Sequence, residues 1–424
     1  MASLETRPTV SGNGDVKPLA VVATGDFRKA SAVKQYRIAG PLAALQRAGL
    51  ANSYITDPLR DKDFQAHIML SADVIVQWFP VDEASLTQAL CFRDLRQLRQ
   101  RGNLIYPPVY VVDADDSIEF VRPFNDSFSV YGIRDWNGRW LEPGDSVWWT
   151  NADGSKVEMW KDLVTPSSEG SIFNIRQNWQ RIGWHYDTAR AAAGVTVSTE
   201  PLAKIYREQR VKEVYVHPNS VSLDGMHWPD IAPHEGVRIL WEGGSSHIDS
   251  WLHVRKPFVE CLKRHPEAKL VSFGQVFPWM DAEVPPEQLE IHDWVDHSNY
   301  QLKRACLDPD ITFCPIADAP FSHCKSAIRY YEASIGPRPQ PCLAAKVGPY
   351  LEIEDGITGL TYSSDEEMVD KLGLLIRNAT LRKQLADNAH QWVMANRTSE
   401  VTVKGLHAFY QHLKTLQRRK ALQP

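Results

Sequence analysis

The chain has 424 residues, with 47 Lys and Arg against 52 Asp and Glu, which gives a formal net charge of −5. That length predicts two or three domains, and the 43% hydrophobic and 23% charged content excludes a largely disordered chain. The mild acidity argues against a protein that merely coats nucleic acid, and no apolar run approaches the ~18 residues that a membrane span needs.

The start of the chain and its cysteines both favour a cytoplasmic protein. Residues 1–18 are polar, with Gly and Pro, and predict a flexible leader rather than a secretory signal. The cysteines form no CxxC pair, so we expect reduced thiols without a disulfide framework. They are Cys91, Cys261, Cys306, Cys314, Cys324 and Cys342.

The first half alternates short apolar runs with amphipathic helical patterns. Continuous apolar strands alternating with helices predict a parallel sheet covered on both faces. The predicted strands are 19–24, 73–78, 104–112, 194–198 and 214–216, and the predicted helices are 31–49, 83–100 and one starting near 174. We expect residues 19–222 to form a Rossmann-like domain that binds the acceptor.

Residues 122–166 interrupt that rhythm with alternating apolar and polar positions. Asn137-Gly138 and Asp153-Gly154 are two-residue hairpin signals. They predict a small β-hairpin insertion that is rich in tryptophan. Its indoles could stack on sugars or unpaired bases, or simply form a local core. They are Trp136, Trp140, Trp148, Trp149 and Trp160.

A second alternating series follows residues 223–235, whose Gly, Pro and polar content predicts a linker. Residues 236–400 predict a second Rossmann-like domain, and the basic segment 401–424 predicts a helix that packs back on the first. Ser364 and Glu367 form a capping box before one of these helices. The predicted strands are 237–241, 269–273, 289–291, 311–314 and 341–343, and the predicted helices are 250–264, 299–306, 325–334, 368–376, 381–395 and 403–420.

Ligands of open parallel sheets bind beyond the carboxyl ends of the strands, so the loops after strands hold the candidate site. The segment Gly243-Gly244-Ser245-Ser246-His247 could bring backbone N–H groups close to an anion, or it is only a turn. After strand 311–314, a helix starting near 322 would place Lys325 and Arg329 on one face, with Glu332 a turn further on. These cations suit an anion and the carboxylate suits ribose hydroxyls, although a solvated ion ladder gives the same pattern.

Two loops of the first half face the same predicted cleft. Asp113, Asp115 and Asp116 follow a buried strand, where they could chelate a divalent cation, accept from sugar hydroxyls, or cap a helix. Gly25 is followed by Arg28 and Lys29, which could meet donor phosphates or an acidic acceptor, or belong to a basic surface helix.

The second half carries an ordered series of motifs. In chain order these are Trp241-Glu-Gly-Gly-Ser-Ser-His247, Gly274, His292-Asp-Trp294, Asp310-Ile-Thr-Phe-Cys-Pro315, Lys325-Ser326, Tyr331-Glu332-Ala333, Gly348-Pro349-Tyr350 and Gly359-Leu360. The series resembles the nucleotide-sugar-binding domain of GT-B glycosyltransferases, above all the retaining "group 1" family, which is glycogen-synthase-like and includes phage enzymes. The similarity spans nearly all of residues 19–400.

This resemblance implies an α/β GT-B fold, in which two Rossmann-like doubly wound domains face a central cleft. It also implies transfer of a sugar, with retention, from a nucleotide-sugar donor that we expect to be a UDP-sugar. No divalent metal or other cofactor would be needed, because cationic side chains stabilise the leaving diphosphate. We expect the acceptor to be a glycan or a hydroxymethylated DNA base.

The resemblance and the loop analysis together assign roles to named residues. The candidate catalytic residues are Asp115, Lys325 and Glu332. The candidate donor-binding residues are Gly25, Gly243, Gly244, Ser245, His247, Asp293, Trp294, Lys325, Ser326, Arg329 and Glu332. The candidate acceptor-binding residues are Asp116, Arg28 and Lys29, and no metal ligands are assigned.

The chain departs from the family pattern at two places. Many relatives carry a Glu eight residues before the ribose-binding Glu, and Cys324 stands there instead. His247 and Asp249 lie where relatives have basic residues. These departures keep a rival hypothesis open, that of a non-catalytic carbohydrate- or nucleotide-binding protein on a GT-B scaffold.

Overall fold

The computed structural model describes residues 17–25, 31–56, 69–95, 98–100, 103–151, 153–163 and 173–421. Two six-stranded sheets, each entirely parallel, organise these residues. Two separate two-stranded antiparallel hairpins accompany them. The predicted α/β architecture, with two doubly wound units and a β-hairpin insertion, is confirmed.

The first sheet has the strand order β10-β9-β6-β3-β1-β2. Its central strands β3, β6 and β9 are buried almost throughout, as the continuous apolar runs predicted. The strands are β1 Leu19–Thr24, β2 Ala51–Thr56, β3 Val74–Trp78, β6 Val109–Ala114, β9 Gly194–Val197 and β10 Val214–Val216.

The second sheet has the order β13-β12-β11-β14-β15-β16. Strand β11 lies between β12 and β14, so the chain reverses its winding direction there and opens a crevice at the carboxyl ends of β11 and β14. The strands are β11 Val237–Gly243, β12 Ala268–Gly274, β13 Leu289–His292, β14 Ile311–Cys314, β15 Cys342–Ala345 and β16 Leu360–Tyr362.

Helices cover both faces of the two sheets. They are α1 Ser31–Val33, α2 Gly40–Arg47, α3 Glu83–Asp94, α4 Phe128–Tyr131, α5 Ile175–Ala191, α6 Glu200–Glu208, α7 Ile248–Trp251, α8 Arg255–Lys263, α9 Pro278–Glu283, α10 His297–Leu307, α11 Pro320–His323, α12 Ile328–Ala333, α13 Asp365–Arg377, α14 Ala379–Asn396 and α15 Ser399–Ala421. A π-helical turn, Lys34–Ala39, joins α1 to α2. Each helix within the described residues is too short or too polar to cross a lipid bilayer.

The last helix returns to the first sheet. Val403, Leu406 and Leu413 of α15 are buried in one apolar cluster with Leu19 and Val21 of β1. Lys414 of the same helix also forms a 2.7 Å ion pair with Asp73. The end of the chain thus covers a sheet built from its beginning.

The insertion is a small aromatic layer with its own hairpin. Strands β7 Ser146–Thr150 and β8 Lys156–Lys161 pair antiparallel around the Asp153-Gly154 turn, as predicted. Trp136 and Trp149 pack on each other and on Phe124, whereas Trp148 remains half exposed. Trp136, Trp149 and Trp160 are thus half-buried in this local layer, whereas Trp140, like Trp148, is exposed. The other hairpin joins β4 Leu98–Gln100 to β5 Asn103–Ile105.

Three predicted helices are wrong in extent. The helix predicted over 250–264 is in fact α7 and α8, which residues 252–254 separate. The helix predicted over 83–100 ends at Asp94. The helix predicted over 325–334 begins only at Ile328, in α12, and Cys324–Ala327 separates it from the short α11. The break has a local cause, because the Cys324 carbonyl accepts from the Thr199 hydroxyl at 2.8 Å, and Asn219 donates to Ser326 Oγ at 2.8 Å. Side chains of the first half thus hold the turn open.

Candidate active site

A cavity of about 460 Å³ lies at the carboxyl ends of β11 and β14, where the two halves of the chain meet. Carboxylates, one arginine, a glycine turn and aromatic rings line it together. The lining residues are Ala32, Tyr36, Glu242, Gly243, Gly244, His247, Trp294, Val295, His297, Tyr300, Ile328, Arg329 and Glu332. The cavity thus brings together six of the predicted donor-binding residues. They are Gly243, Gly244, His247, Trp294, Arg329 and Glu332.

The glycine turn lets the Arg329 side chain cross directly above it. A Cβ built on Gly243 would lie 2.6 Å from an Arg329 guanidinium nitrogen and 3.1 Å from the His247 ring. Only glycine fits that position without displacing the arginine. Ser245, the third residue of the predicted loop, lies in a 3-10 turn, Ser245–His247, immediately beyond.

Arg329 is the cation of the cavity. Within the described part of the chain its guanidinium makes neither a hydrogen bond nor a salt bridge, although it lines the cavity. Burial, and then the positive charges of Arg329 and Lys325, hold the pKa of His247 well below its usual value. His247 is therefore neutral at pH 7, so Arg329 supplies the positive charge. A half-buried cation that makes no ion pair with the described residues suits an anionic ligand.

Glu332 is the most densely hydrogen-bonded carboxylate in the cavity. It is buried and accepts from the Tyr36 hydroxyl, from Gln301 at 2.8 Å and from the Tyr300 hydroxyl at 3.4 Å. Burial, with the charge of Glu242 next, raises its pKa to about 8. Tyr36 comes from the first half, so this bond joins the two halves across the cavity.

Arg304 holds the floor of the cavity in place. It is buried and donates to the Glu332 carbonyl at 3.1 Å, to Thr312 at 2.9 Å and to Glu242 at 3.4 Å. One carboxylate oxygen of the buried Glu242 still lacks a hydrogen bond from the described residues. Arg304 thus fixes the Glu242 carboxylate and the backbone of Glu332 relative to β14.

An aromatic wall closes one side of the cavity. Trp294 packs over Gly274, whose φ of +111° and lack of a side chain make room for the indole; a Cβ there would lie 2.4 Å from it. Tyr300 stacks against His297 at 5.9 Å between ring centroids. Asp293, predicted to bind the donor, is exposed and is not among the lining residues. Trp294 instead presents a half-exposed ring.

Lys325 faces the first half rather than the cavity. Its ammonium lies 3.3 Å from Asp116 and 4.5 Å from the centre of the Phe321 ring. The break after α11 separates it from Arg329, so the predicted shared helix face does not exist. The structure therefore pairs Lys325 with the predicted acceptor residue Asp116, at the edge of the site.

Asp115 and Ser326 are linked through one amide. Asn219 donates to Asp115 at 3.0 Å and to Ser326 at 2.8 Å. Burial, and then the neighbouring charge of Asp116, raises the pKa of Asp115 to about 6. Asp115 thus lies beside the α11–α12 turn, between the first sheet and Lys325.

Asp113 has a structural role that the sequence did not reveal. Its carboxylate is buried and accepts two bonds from Arg37, at 2.6 and 3.0 Å, and one from Thr196 at 2.6 Å. It is therefore not available to chelate a cation with Asp115. Arg37, expected in a basic surface helix, is buried in this pair. Among the described residues, no group of three His, Cys, Asp or Glu side chains could hold a metal ion.

Cys324 lies in the apolar core of the first half. It is buried within the cluster that includes Tyr186 and Tyr206, and burial raises the pKa of its thiol to about 12. A thiol with that pKa cannot act as an acid, base or nucleophile at neutral pH. It packs instead between the two halves.

Three further predicted site residues are not among the described residues that line the cavity. Arg28 and Lys29 lie outside the described residues, and Gly25 directly follows β1 without lining the cavity. Conversely, sequence analysis missed Tyr36 and Glu242 as site residues. The sequence placed Tyr36 only on the apolar face of the helix predicted over 31–49. No residue near it in the sequence indicated a contact with Glu332.

Comparisons with known proteins identify the fold. No protein-family model matches the chain, and no curated protein sequence matches it significantly. A sucrose-phosphate synthase from Thermosynechococcus elongatus is similar in structure, with a TM-score of 0.56 and 11% identity over 94% of this chain and 100% of that one. A glycosyltransferase from Rickettsia africae is similar too, with a TM-score of 0.55 and 11% identity over 94% of this chain and 99% of that one.

A third similar structure contains a nucleotide. HepE from Anabaena, solved in complex with UDP, gives a TM-score of 0.52 and 11% identity over 93% of this chain and 100% of that one. All three similarities cover essentially the whole of both chains, so they concern the arrangement of both sheets. The expected architecture is confirmed: the chain has the GT-B fold of these glycosyltransferases.

Proposed function

We propose that this chain is a glycosyltransferase that moves a sugar from a UDP-sugar to an acceptor held by the first half. The cavity itself is the main support, because an arginine without an ion pair to the described residues, a Gly-Gly turn and a buried carboxylate converge there. A diphosphate needs cations and backbone N–H groups, and a ribose needs an acceptor for its hydroxyls. HepE, which shares the fold, binds UDP.

We propose a single orientation of the donor in this cavity. Arg329 and the Gly243-Gly244 turn would receive the diphosphate, Glu332 the ribose hydroxyls, and the ring of Trp294 the base. The sugar would then extend towards Asp115 and Lys325. Placed there, Lys325 would approach the phosphate nearest the sugar, while Asp115 would accept from a sugar hydroxyl.

The chemistry requires stabilisation of a departing diphosphate. The bond between the anomeric carbon and the β-phosphate oxygen breaks, a bond to the acceptor oxygen forms, and the acceptor proton passes to the leaving diphosphate. Positioned cations of this kind contribute about 3–4 kcal/mol each to transition states that develop negative charge. We propose attack on the face that the diphosphate leaves, which retains the anomeric configuration.

We further propose that no divalent metal is required, since Arg329 and Lys325 bring positive charge to the diphosphate. Turnover of UDP-glucose should therefore persist in EDTA. Loss of turnover in EDTA, restored by Mg²⁺ or Mn²⁺, would assign the charge neutralisation to a metal instead.

The acceptor is proposed as a glycan or a hydroxymethylated DNA base, with Asp116, Arg28 and Lys29 among its binding residues. The half-exposed Trp148 is a candidate stacking surface. Arg37 cannot contribute, because it is buried against Asp113. A salt-dependent gel shift separates the two acceptors, since a DNA-modifying enzyme should bind duplex DNA at low salt.

The proposal is tested with a panel of UDP-, GDP- and ADP-sugars. Thermal shift identifies the donor, and release of nucleotide without acceptor, at a slow rate, identifies turnover. Binding without turnover, with every acceptor tried, would favour the rival non-catalytic protein, to which the buried Cys324 lends support. Absence of binding to any nucleotide sugar would contradict the proposed glycosyltransferase and also a rival that binds nucleotides.

A further inference from the structure

Tyr36 and Glu332 connect the two halves of the chain inside the donor cavity. Tyr36 belongs to the π-helical turn Lys34–Ala39, and its hydroxyl donates to the buried carboxylate of Glu332. Its ring meets His297 edge-on, with 5.3 Å between ring centroids. Turns of π-helix inside longer helices occur frequently at functional sites. This contact is therefore a candidate for more than a packing role.

The bond uses the same chemistry that a ribose would use. A phenol and a sugar hydroxyl both donate an O–H to a carboxylate oxygen. Glu332 already accepts from Gln301 and Tyr300, which belong to its own half. Burial, and then the charge of Glu332, raises the pKa of Tyr36 well above its usual value, so the phenol keeps its proton. A carboxylate offers about four acceptor sites, and Gln301 and Tyr300 occupy two of them, so the two hydroxyls of a ribose and the Tyr36 phenol together need one site more than remains.

The surroundings leave Tyr36 room to move away. A second cavity of about 740 Å³ lies on the other side of its ring, towards residues 220–228. Tyr36 and His297 line both this cavity and the donor cavity. The ring can therefore turn from one space to the other without entering the packed core.

We infer that Tyr36 is a positioning residue that holds the Glu332 carboxylate in place until the ribose of the donor replaces it. Nucleotide binding then breaks a contact between the two halves of the chain. This inference rests on the proposed function. It makes Tyr36 a competitor of the ribose hydroxyls, and therefore predicts that removal of the phenol oxygen strengthens nucleotide binding.

The test is a cycle with two proteins and two ligands, measured by isothermal titration calorimetry. Wild type and Tyr36→Phe are each titrated with UDP and with 2′,3′-dideoxy-UDP, which has no ribose hydroxyls. We expect Tyr36→Phe to bind UDP about three- to tenfold more tightly, the size expected for one hydrogen bond. The affinity for the dideoxy ligand should not change, because that ligand does not displace Tyr36.

Two further variants keep the result interpretable. Tyr54→Phe removes a hydroxyl from a half-exposed tyrosine of β2 and should change neither affinity. In a Glu332→Gln background, which weakens the exchanged bond, Tyr36→Phe should add at most a small gain for UDP. Thermal melting of each variant shows whether it folds.

Several results would overturn the inference. Weaker UDP binding by Tyr36→Phe would mean that Tyr36 contacts the nucleotide directly. An equal gain for both ligands would mean that the ring blocks entry sterically, rather than competing for Glu332. In both cases wild type still binds UDP and the proposed function stands. If wild type bound neither ligand, the proposed function would fail, and the inference with it.

Discussion

Arg329 shows how a single side chain can define the charge of a cavity. Its guanidinium has no hydrogen bond or salt bridge to the described residues, and the adjacent His247 is held neutral. Lys325, only four residues earlier, is paired with Asp116. Arg329 is thus available to a phosphate without first breaking an ion pair, whereas Lys325 must leave Asp116.

Replacement of Arg329 with Ala should therefore weaken UDP binding. Removal of a charge-assisted hydrogen bond costs about 1.5–3 kcal/mol, which corresponds to a dissociation constant raised about ten- to hundredfold. Calorimetric titration measures it. Arg93→Ala is the matched control, because Arg93 is exposed and pairs only with its neighbour Asp94. An unchanged affinity in Arg329→Ala would remove this residue from the phosphate site.

Glu332 should make the stability of the fold depend on pH. Its pKa in the folded chain is raised to about 8 by burial and by Glu242, against about 4.3 for an exposed glutamate. Between these values the folded chain binds a proton that the unfolded chain has lost. The free energy of unfolding must then fall as pH rises, by at most about 1.4 kcal/mol per pH unit.

This pH effect is best measured between pH 6.5 and 8. Three histidines whose pKa is lowered in the fold change the slope in the opposite direction near pH 6.5, but they do so equally in wild type and in Glu332→Gln, so the comparison of the two proteins isolates Glu332. Urea denaturation should give a steeper fall for wild type than for Glu332→Gln, which cannot ionise. The exposed Glu260 provides a control in Glu260→Gln. Equal slopes in all three proteins would show that Glu332 is ionised at pH 6.5.

The element that sequence reasoning described least well is the segment after β14. Its spacing predicts one helix, and Lys325 and Arg329 would then share a face. The break at Cys324–Ala327 depends on Thr199 and Asn219, which are more than a hundred residues away. Local periodicity cannot contain such contacts. The same holds for Tyr36, whose partner Glu332 is 296 residues away.

Periodicity missed two of the four edge strands of the parallel sheets, β2 and β16, although it predicted the other two, β10 and β13. Strand β2 lies at the edge of the first sheet and alternates buried with more exposed residues, including the half-exposed Tyr54. Strand β16 lies at the edge of the second sheet and has only three residues. Central strands were predicted because burial on both faces demands continuous apolar runs. Short or half-exposed edge strands such as β2 and β16 do not require such a run.

The Gly-Gly turn provides a test at the scale of one loop. Gly243→Ala places a Cβ 2.6 Å from Arg329 and 3.1 Å from the Trp241 ring, so we expect a loss of about 1–3 kcal/mol in the free energy of unfolding. Gly244→Ala is a matched control, because a Cβ there meets nothing within 4 Å. Urea denaturation compares the two. Equal stability would show that Arg329 moves aside freely.

Across the whole molecule, the insertion ties the two halves together at the edge of the cleft. Phe321 of α11 is buried in the same cluster as Phe128, Leu141 and Val147. Arg122, at the start of the insertion, forms a 2.5 Å ion pair with Asp249 of α7. Any opening of the cleft must separate these contacts.

Phe321→Ala should therefore lower the free energy of unfolding and also loosen the insertion that packs against Phe321. Truncation of a buried phenylalanine costs about 3–5 kcal/mol, and the β7–β8 hairpin should become more sensitive to limited proteolysis. Leu351→Ala, at a side chain that is 62% exposed, is the control and should be nearly neutral. A loss below about 1 kcal/mol would show that the insertion does not depend on the second half.

The two doubly wound sheets were predictable because apolar strands alternate with helices along the chain, and the resemblance of the motif series implied their GT-B arrangement. The glycine turn and Glu332 were predictable from their places after β11 and β14. The pairing of Asp113 with Arg37, and of Lys325 with Asp116, was not, because each pair joins distant segments. Charged residues in loops reveal a site, and only the folded chain shows which charges remain free.

The most direct measurement is a crystal structure of the chain with UDP. The account predicts the diphosphate between the Gly243-Gly244 turn and the Arg329 guanidinium, with the ribose hydroxyls on the Glu332 carboxylate. A diphosphate bound elsewhere, or this cavity left empty at millimolar UDP, would contradict it.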